Sequence, residues 1–254
     1  MKQTFLPLAA ALFFAGQAFA GTWIEVTNGP GRINTYNGGG RFDATVYSSQ
    51  NSTQSLGQLL VTCVDFLNVF SYGNRWEVNM TKLDGTDTLA NTRYGGALTN
   101  NGNANNFDNY QGTYNALDRY RMAAWLTSQL PNYTSGSLNA KGIQGAIWYL
   151  LDPTGTPNAP ISGTTGFAAN RMNWLNQAVN VGLAQSASFF ANYRVLTQVN
   201  VSWLGNGRTT RYQEFITVVT PEPSTYVALA LALGFVVWMA RRRKAGVTNA
   251  ATLA

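Results

Sequence analysis

VTCVDF, residues 61–66, carries the only cysteine of a 254-residue chain that contains no histidine. Those two counts limit the chemistry before any fold is considered. Without an imidazole, neither a Ser-His-Asp triad nor a Cys-His pair can be assembled. One thiol supplies neither a zinc site of the Cys/His type nor an intrachain disulfide. A lone thiol in an exported chain risks dimerisation and over-oxidation, unless it is a small buried hydrophobe, as cysteine often is. A second residue stands out by type. In IQGAIWYLL, Ile143, Ala146, Ile147 and Leu150 fall at i, i+3, i+4 and i+7, the spacing of a helix face packed on a core. Gln144 sits inside that apolar run, a neighbour of Ile147 and Trp148 on the helix surface. An amide so close to a core needs hydrogen-bond partners, or a use beyond them.

Other chemistry-bearing residues form weaker patterns. Asp84 and Asp87 are close in sequence, and Asp108 and Asp118 flank a helix start. A glycosidase needs a carboxylate pair, but ten scattered acids in the body give no specific constellation. Trp76, Tyr94, Tyr110 and Tyr133 are candidates for stacking on sugar rings, with core packing the default for the tryptophan.

The elements that must position Cys63 and Gln144 follow from periodicity. Alternation predicts strands at Trp23–Thr27, Arg41–Tyr47 and Arg75–Lys82, with a glycine-rich loop at Asn28–Gly40. LLVTCVDFLNV, residues 59–69, predicts a buried strand that carries the thiol. Helical spacing appears at Tyr114–Leu130, which stops at Pro131, and at Asn139–Leu151, with Asn139 as N-cap and Asp152-Pro153 as the stop. A third helix is predicted over Thr165–Ala184. Strand patterning returns at Tyr193–Leu204 and Tyr212–Val219, separated by Gly205-Asn206-Gly207. Strands, then helices, then strands predict an α+β domain, a β-sandwich or barrel with a helical insertion around 110–190. Four Asn-x-Ser/Thr sequons, at Asn51, Asn79, Asn132 and Asn200, are by-products of an Asn- and Thr-rich composition.

VTCVDF and IQGAIWYLL together resemble the thioester domain of bacterial surface adhesins. Gln144, Ala146, Ile147 and Trp148 match that family's Thr-Gln-x-Ala-Ile-Trp motif, and Cys63 with Val64 matches its cysteine motif. Arg121-Met122-Ala123-Ala124-Trp125-Leu126 resembles the Ala-Ala-aromatic helix that precedes the glutamine. Thr62 stands where the family has an aromatic residue or Leu, and Ile143 where it has Thr. The resemblance covers roughly 59–151. It implies an internal thioester between Cys63 and Gln144, made with loss of ammonia and opened by an amine on a partner, with no cofactor. Val64, Asp65, Ala146, Ile147 and Trp148 would support it, Trp148 and Phe66 by shielding the bond from water. Asp65 would share a strand face with Cys63 and orient a nucleophile, or would be an ordinary exposed strand aspartate.

The two ends concern traffic. Residues 1–20 show Lys2, an uncharged apolar run and Ala18-Phe19-Ala20, the pattern of a signal peptide. Thr225–Ala240 is an uncharged apolar stretch of sixteen residues, spanning roughly 24 Å as a helix, short for a hydrocarbon core of about 30 Å. Arg241, Arg242, Arg243 and Lys244 follow it and would stay on the cytoplasmic side. Pro221-Glu222-Pro223, the apolar helix and the arginine cluster resemble the PEP-CTERM sorting signal of Gram-negative bacteria. The resemblance implies a temporary inner-membrane anchor, recognition by an exosortase, and delivery to the cell surface or extracellular polymer. The layout expected is signal peptide 1–20, extracytoplasmic domain 21–219, sorting signal with a single transmembrane helix 220–244, and cytoplasmic tail 245–254. Once the trafficking segments are set aside, residues 21–220 hold twelve basic and ten acidic residues. That near-neutral body offers no electrostatic case for nucleic acid. The expected function is attachment rather than enzymatic turnover, either covalent through the thioester or non-covalent on extracellular polysaccharide.

Overall fold

The computed structural model describes residues 21–28, 32–35, 39–65, 70–95, 114–151, 165–199, 212–219, 231–236 and 239. Alternating burial along Thr22–Thr27 (β1), Gly40–Tyr47 (β3) and Arg75–Lys82 (β5) shows one side chain in two turned inward, as period-2 patterning requires. Ile33–Asn34 (β2) is a short strand within the expected loop, paired with the start of β3. Ser55–Cys63 (β4), Tyr193–Gln198 (β6) and Phe215–Val218 (β7) complete the sheet. Its order is β1-β5-β6-β7-β4-β3, and β3 pairs back onto β1. Every pairing is antiparallel. The six strands therefore close into a barrel, which removes the free edges an open sheet would expose. Of the two expected forms, barrel rather than sandwich is the one adopted.

The strand carrying the thiol differs from expectation in both bounds. It starts at Ser55, ends at Cys63, and is mostly exposed except over Val61–Thr62–Cys63. The reason is pairing: among the described residues β7 meets β4 only at Val61, Thr62 and Cys63, and the earlier part of β4 has β3 on one side and no described strand on the other. The β6 and β7 strands are also shorter than predicted. The 205–207 turn, residues 66–69 and the helix stop at 152–153 lie outside the described residues.

The insertion between β5 and β6 is helical, as predicted. Ala116–Gln129 (α1) begins at Asn115, whose side chain accepts from the Asp118 amide at 2.9 Å. That bond satisfies one of the helix's orphan N–H groups. It ends just before Pro131, which sits in a single 3-10 turn at Leu130–Asn132. Leu138–Leu151 (α2) starts one residue earlier than expected. Ser137, not Asn139, caps it, its hydroxyl accepting from the Ala140 amide at 3.2 Å. Phe167–Gln177 (α3) passes into a π-turn at Ala178–Gly182 rather than continuing to Ala184. A four-residue helix, Ala187–Phe190 (α4), precedes β6.

Two apolar cores result. Ile24, Val26, Phe42, Ala44, Val61, Cys63, Trp76, Val78, Leu196 and Phe215, drawn from all six barrel strands, fill the barrel interior. The second core lies between the helices and the outer face of β6 and β7, where Tyr193, Val195 and Ile216 meet α1, α2 and α3. One helix serves both. Ile143, Ala146, Ile147 and Leu150 of α2 pack in the helical core, while Trp148 belongs to the barrel interior. The depth of α2 is fixed at its C-terminal end by the buried Arg119, whose guanidinium donates to the Leu150 carbonyl at 3.3 Å. That carbonyl is among those a helix end leaves without an internal partner.

The chain from Val219 forms a second unit. Within the expected apolar segment, 231–236 and 239 are helical with exposed side chains. Among the described residues no helix is long and apolar enough to cross a membrane. The expected signal peptide, Pro221, Glu222, Pro223, Arg241, Arg242 and Arg243 lie outside the described residues.

Because α2 supplies both cores, truncating it on the helical side should be costly. Ile147→Ala removes a fully buried side chain and is expected to lower unfolding free energy by about 2–5 kcal/mol. Urea denaturation measures it, and a loss well under 1 kcal/mol would contradict the packing described.

Candidate functional site

Three chain segments meet at one barrel end: the start of β3, the end of β4 and the start of β7. The register sets Cys63 opposite Phe215, with Arg41 opposite Thr62 on the other side. α2 brings Gln144 and, one turn later, Trp148 to this end, since residues four apart share a helix face. Gln144 and Cys63 are fully buried and Trp148 almost so. The Gln144 Nε2 donates to the Cys63 carbonyl oxygen at 2.8 Å, across 81 residues of sequence. The orientation of the amide is forced: a carbonyl partner only accepts, so the NH2 must face it. The other half of the amide, Oε1, is buried without a hydrogen-bond partner among the described residues.

The thiol is held as closely. Cys63 Sγ donates to the Asp65 carbonyl oxygen at 3.3 Å, and the Trp148 indole lies beside the sulfur. Burial in the barrel pushes the thiol up to about 12, outweighing the downward pull of the Trp148 indole and of the Arg93 charge. The resting group is a neutral thiol. Gly39 closes the site from the β3 side. A Cβ at that position would run into the Trp148 ring and the Gln144 Cγ, so only glycine lets the backbone lie against both.

Among the residues expected to surround the thiol, placement divides sharply. Trp148 is in the barrel with Cys63 and Gln144, whereas Val64, Ala146 and Ile147 pack in the helical core on the other side of the wall. Their support is to seat β4 and α2. Asp65 corrects both expectations made for it. The strand ends at Cys63, so Asp65 shares no strand face with it, and its side chain is fully buried rather than exposed. Asp65 pairs with Arg93, also fully buried, and accepts from the Tyr94 hydroxyl at 3.0 Å. Phe66 is outside the described residues.

Beside this pair lies a second carboxyl that the sequence did not single out. Glu214 accepts from the Arg93 amide at 2.8 Å, the Thr197 hydroxyl at 2.6 Å and the Tyr120 hydroxyl at 2.6 Å. Its own backbone carbonyl accepts from the Val64 amide at 3.1 Å, extending the β4–β7 contact past Cys63. Burial raises the Glu214 pKa even though these donors and the Arg93 charge favour its ionised form. Burial likewise raises Tyr94 and Tyr120 well above the usual phenol value. Arg93-Tyr94, Tyr120 and Glu214 come from three separated stretches of sequence, and no local spacing links the three. The one available signal was an acid, Glu214, in an otherwise strand-like run.

The remaining candidates do other work. Asp84 accepts from the Thr86 amide and hydroxyl, and Asp87 from the Lys82 amide, so both shape a turn. Asp118 sits in the first turn of α1, and Asp108 is outside the described residues. Trp76 and Tyr94 are buried, and Tyr133 is half-buried against Trp174, so none of these three offers an open face for stacking on a sugar. Tyr110 is outside the described residues. Among the described residues no cluster of His, Cys, Asp and Glu is arranged to hold a metal.

Comparison with known proteins gives no matching family model, no matching curated protein and no matching solved structure.

A thiol held near 12 makes a direct prediction for the chain in its free-thiol form. At about pH 9 an ordinary thiol is largely ionised, yet Cys63 should resist iodoacetamide while folded and react once unfolded. The folded pKa lies above the unfolded one, so this contribution to stability is complete below pH 9.0 and is lost as pH rises toward about 12. Unfolding free energy in that window should fall more steeply for the native sequence than for Cys63→Ala, by up to about 1.4 kcal/mol per pH unit. Parallel pH profiles for the two proteins would contradict it.

Proposed function

We propose that the chain is an exported surface or extracellular-matrix protein that attaches covalently to an amine-bearing partner through a Cys63–Gln144 thioester. The observation that carries this reading is the Gln144 amide, fully buried and bonded to the backbone of Cys63 at 2.8 Å, with its carbonyl oxygen left unpartnered. A glutamine retained for packing alone is a poor choice there, because burying an unpaired acceptor costs about 1–3 kcal/mol that leucine or methionine would avoid.

The chemistry balances without a cofactor. The Cys63 sulfur bonds to the Gln144 Cδ, the C–Nε2 bond breaks, and the thiol proton leaves with the nitrogen as ammonia. A partner amine then attacks the same carbon, the C–S bond breaks, and sulfur recovers a proton while a secondary amide forms. Water is the competing nucleophile, and the apolar barrel around Trp148 and Gly39 restricts it. Each molecule reacts once, so the protein is a linker and not a turnover catalyst. The Thr hydroxyl that the resembling family places before its glutamine is replaced here by the apolar Ile143, which packs in the helical core. Positioning of the amide falls instead to the Cys63 carbonyl.

Export and sorting rest on the two chain ends. The apolar start with Ala18-Phe19-Ala20, and Pro221-Glu222-Pro223 followed by an apolar segment and Arg241, Arg242 and Arg243, support secretion and exosortase processing.

Intact-mass measurement of the secreted protein should show a deficit of one ammonia, abolished by Cys63→Ala or Gln144→Ala, and methylamine should be taken up at Gln144. Full mass with no uptake would leave a non-covalent polysaccharide-binding or structural module. In a host strain lacking its exosortase, the protein should accumulate in the inner membrane with its C-terminal segment attached. Unchanged size and location there would remove the sorting assignment and leave the thioester untouched.

A further inference from the structure

The polar cluster behind Cys63 is unusual for where it sits. Asp65 and Arg93 form an ion pair with both side chains fully excluded from water. Such a pair is costly to bury, and apolar replacements of similar volume are often as stable or more so. Its place in the fold suggests what it is for. β4 ends at Cys63, and two residues later the chain has turned so that the Asp65 backbone carbonyl accepts from the Cys63 thiol at 3.3 Å. The Asp65 carboxylate, held by the Tyr94 hydroxyl at 3.0 Å, grips the Arg93 guanidinium. Arg93 is anchored a second time through its own amide, which donates to Glu214 at 2.8 Å. The Arg93 charge is felt at the sulfur.

We propose that Asp65 is a positioning residue for the Cys63–Gln144 reaction: it receives the thiol at its carbonyl and fixes the Arg93 guanidinium where its charge stabilises sulfur as it gives up its proton. The inference rests on the thioester reading and assigns the device that makes a thiol in a dry barrel reactive at all. When sulfur attacks Gln144, negative charge develops on sulfur and then on the amide oxygen. The core that fills the barrel interior is aliphatic and aromatic, so a fixed positive charge is the missing component. When a partner amine opens the bond, the same charge eases departure of the sulfur. Arg93 needs a partner that keeps it in place without neutralising it by proton transfer, and a carboxylate braced by a phenol is suited to that. The titratable groups around this arrangement are Asp65 and Arg93 themselves, Tyr94 beside them, Tyr120 from α1 and Glu214 ahead of β7.

The test follows thioester formation in freshly synthesised full-length chain, by the loss of ammonia in intact mass, against time and pH. Arg93→Met should slow formation on the order of 100-fold, with a rate that climbs with pH as the uncatalysed thiolate fraction rises. Arg93→Lys, which keeps the charge, should recover much of the rate. Asp65→Asn, nearly isosteric, should slow formation while leaving cooperative unfolding in place. A purely structural role would lower stability without changing the pH profile. If Arg93→Met fails to fold, the Asp65→Asn and Arg93→Lys pair carries the test. Wild-type rate and pH dependence in a folded Asp65→Asn would overturn the assignment and leave the thioester standing. No ammonia loss in the wild type would remove the thioester itself, and with it this inference.

Discussion

A polar amide pressed into the end of a dry barrel is the constraint on which the remaining structure depends. The interior is filled by aliphatic and aromatic side chains from six strands, where an unpaired polar group has no water to turn to. Gln144 meets that constraint halfway, with its nitrogen bonded to the Cys63 carbonyl and its oxygen unmatched among the described residues. Holding it there requires α2 at one depth and one rotation. The Arg119 bond to the Leu150 carbonyl sets the depth. The apolar positions Ile143, Ala146, Ile147 and Leu150 set the rotation, and once they are seated, residues 144 and 148 are left facing the barrel.

The barrel wall separates two electrostatic worlds only one strand thick. Inside, a neutral thiol is the stable form of Cys63 because burial penalises the thiolate. Past the end of β4, a buried cation and two carboxyls are held by tyrosine and threonine hydroxyls and by backbone amides. Residues 61–65, VTCVD, thread between them, with cysteine on the inner side and aspartate among the charges. Packing of a low-dielectric compartment beside fixed charges is the arrangement in which a charge acts most strongly, since little solvent screens it.

Much of the scaffold was legible from periodicity. The strands at 22–27, 40–47 and 75–82 and the helices at 116–129 and 138–151 follow from alternation and 3.6-residue spacing. So does the order of strands, helices and strands. Barrel closure was not legible, because the β1–β3 pairing is a long-range register that no local pattern encodes. The run at 59–69 misled because β-branched residues mark strand propensity but not which neighbour is present to bury them. At the site, the cysteine and glutamine were identifiable by being the wrong type for their surroundings. Asp65 was misjudged because an aspartate near a strand end is ordinarily solvated. Its partner Arg93 lies 28 positions further on, inside a stretch with no regular pattern. Gly39 was counted among loop glycines, although its lack of a side chain is what admits the Trp148 ring.

The contact between Gln144 and Cys63 spans 81 positions, and that separation has a mechanical side. A bond made there would turn β5, α1 and the first half of α2 into a closed ring. By chain-entropy reasoning a ring of that size restrains the unfolded ensemble by about 4.5 kcal/mol. Under the proposed thioester reading, capture of a partner would open the ring at the moment the new linkage forms. The domain would then be held to its target by an amide while losing its internal staple, which leaves the fold less restrained against unfolding than before capture.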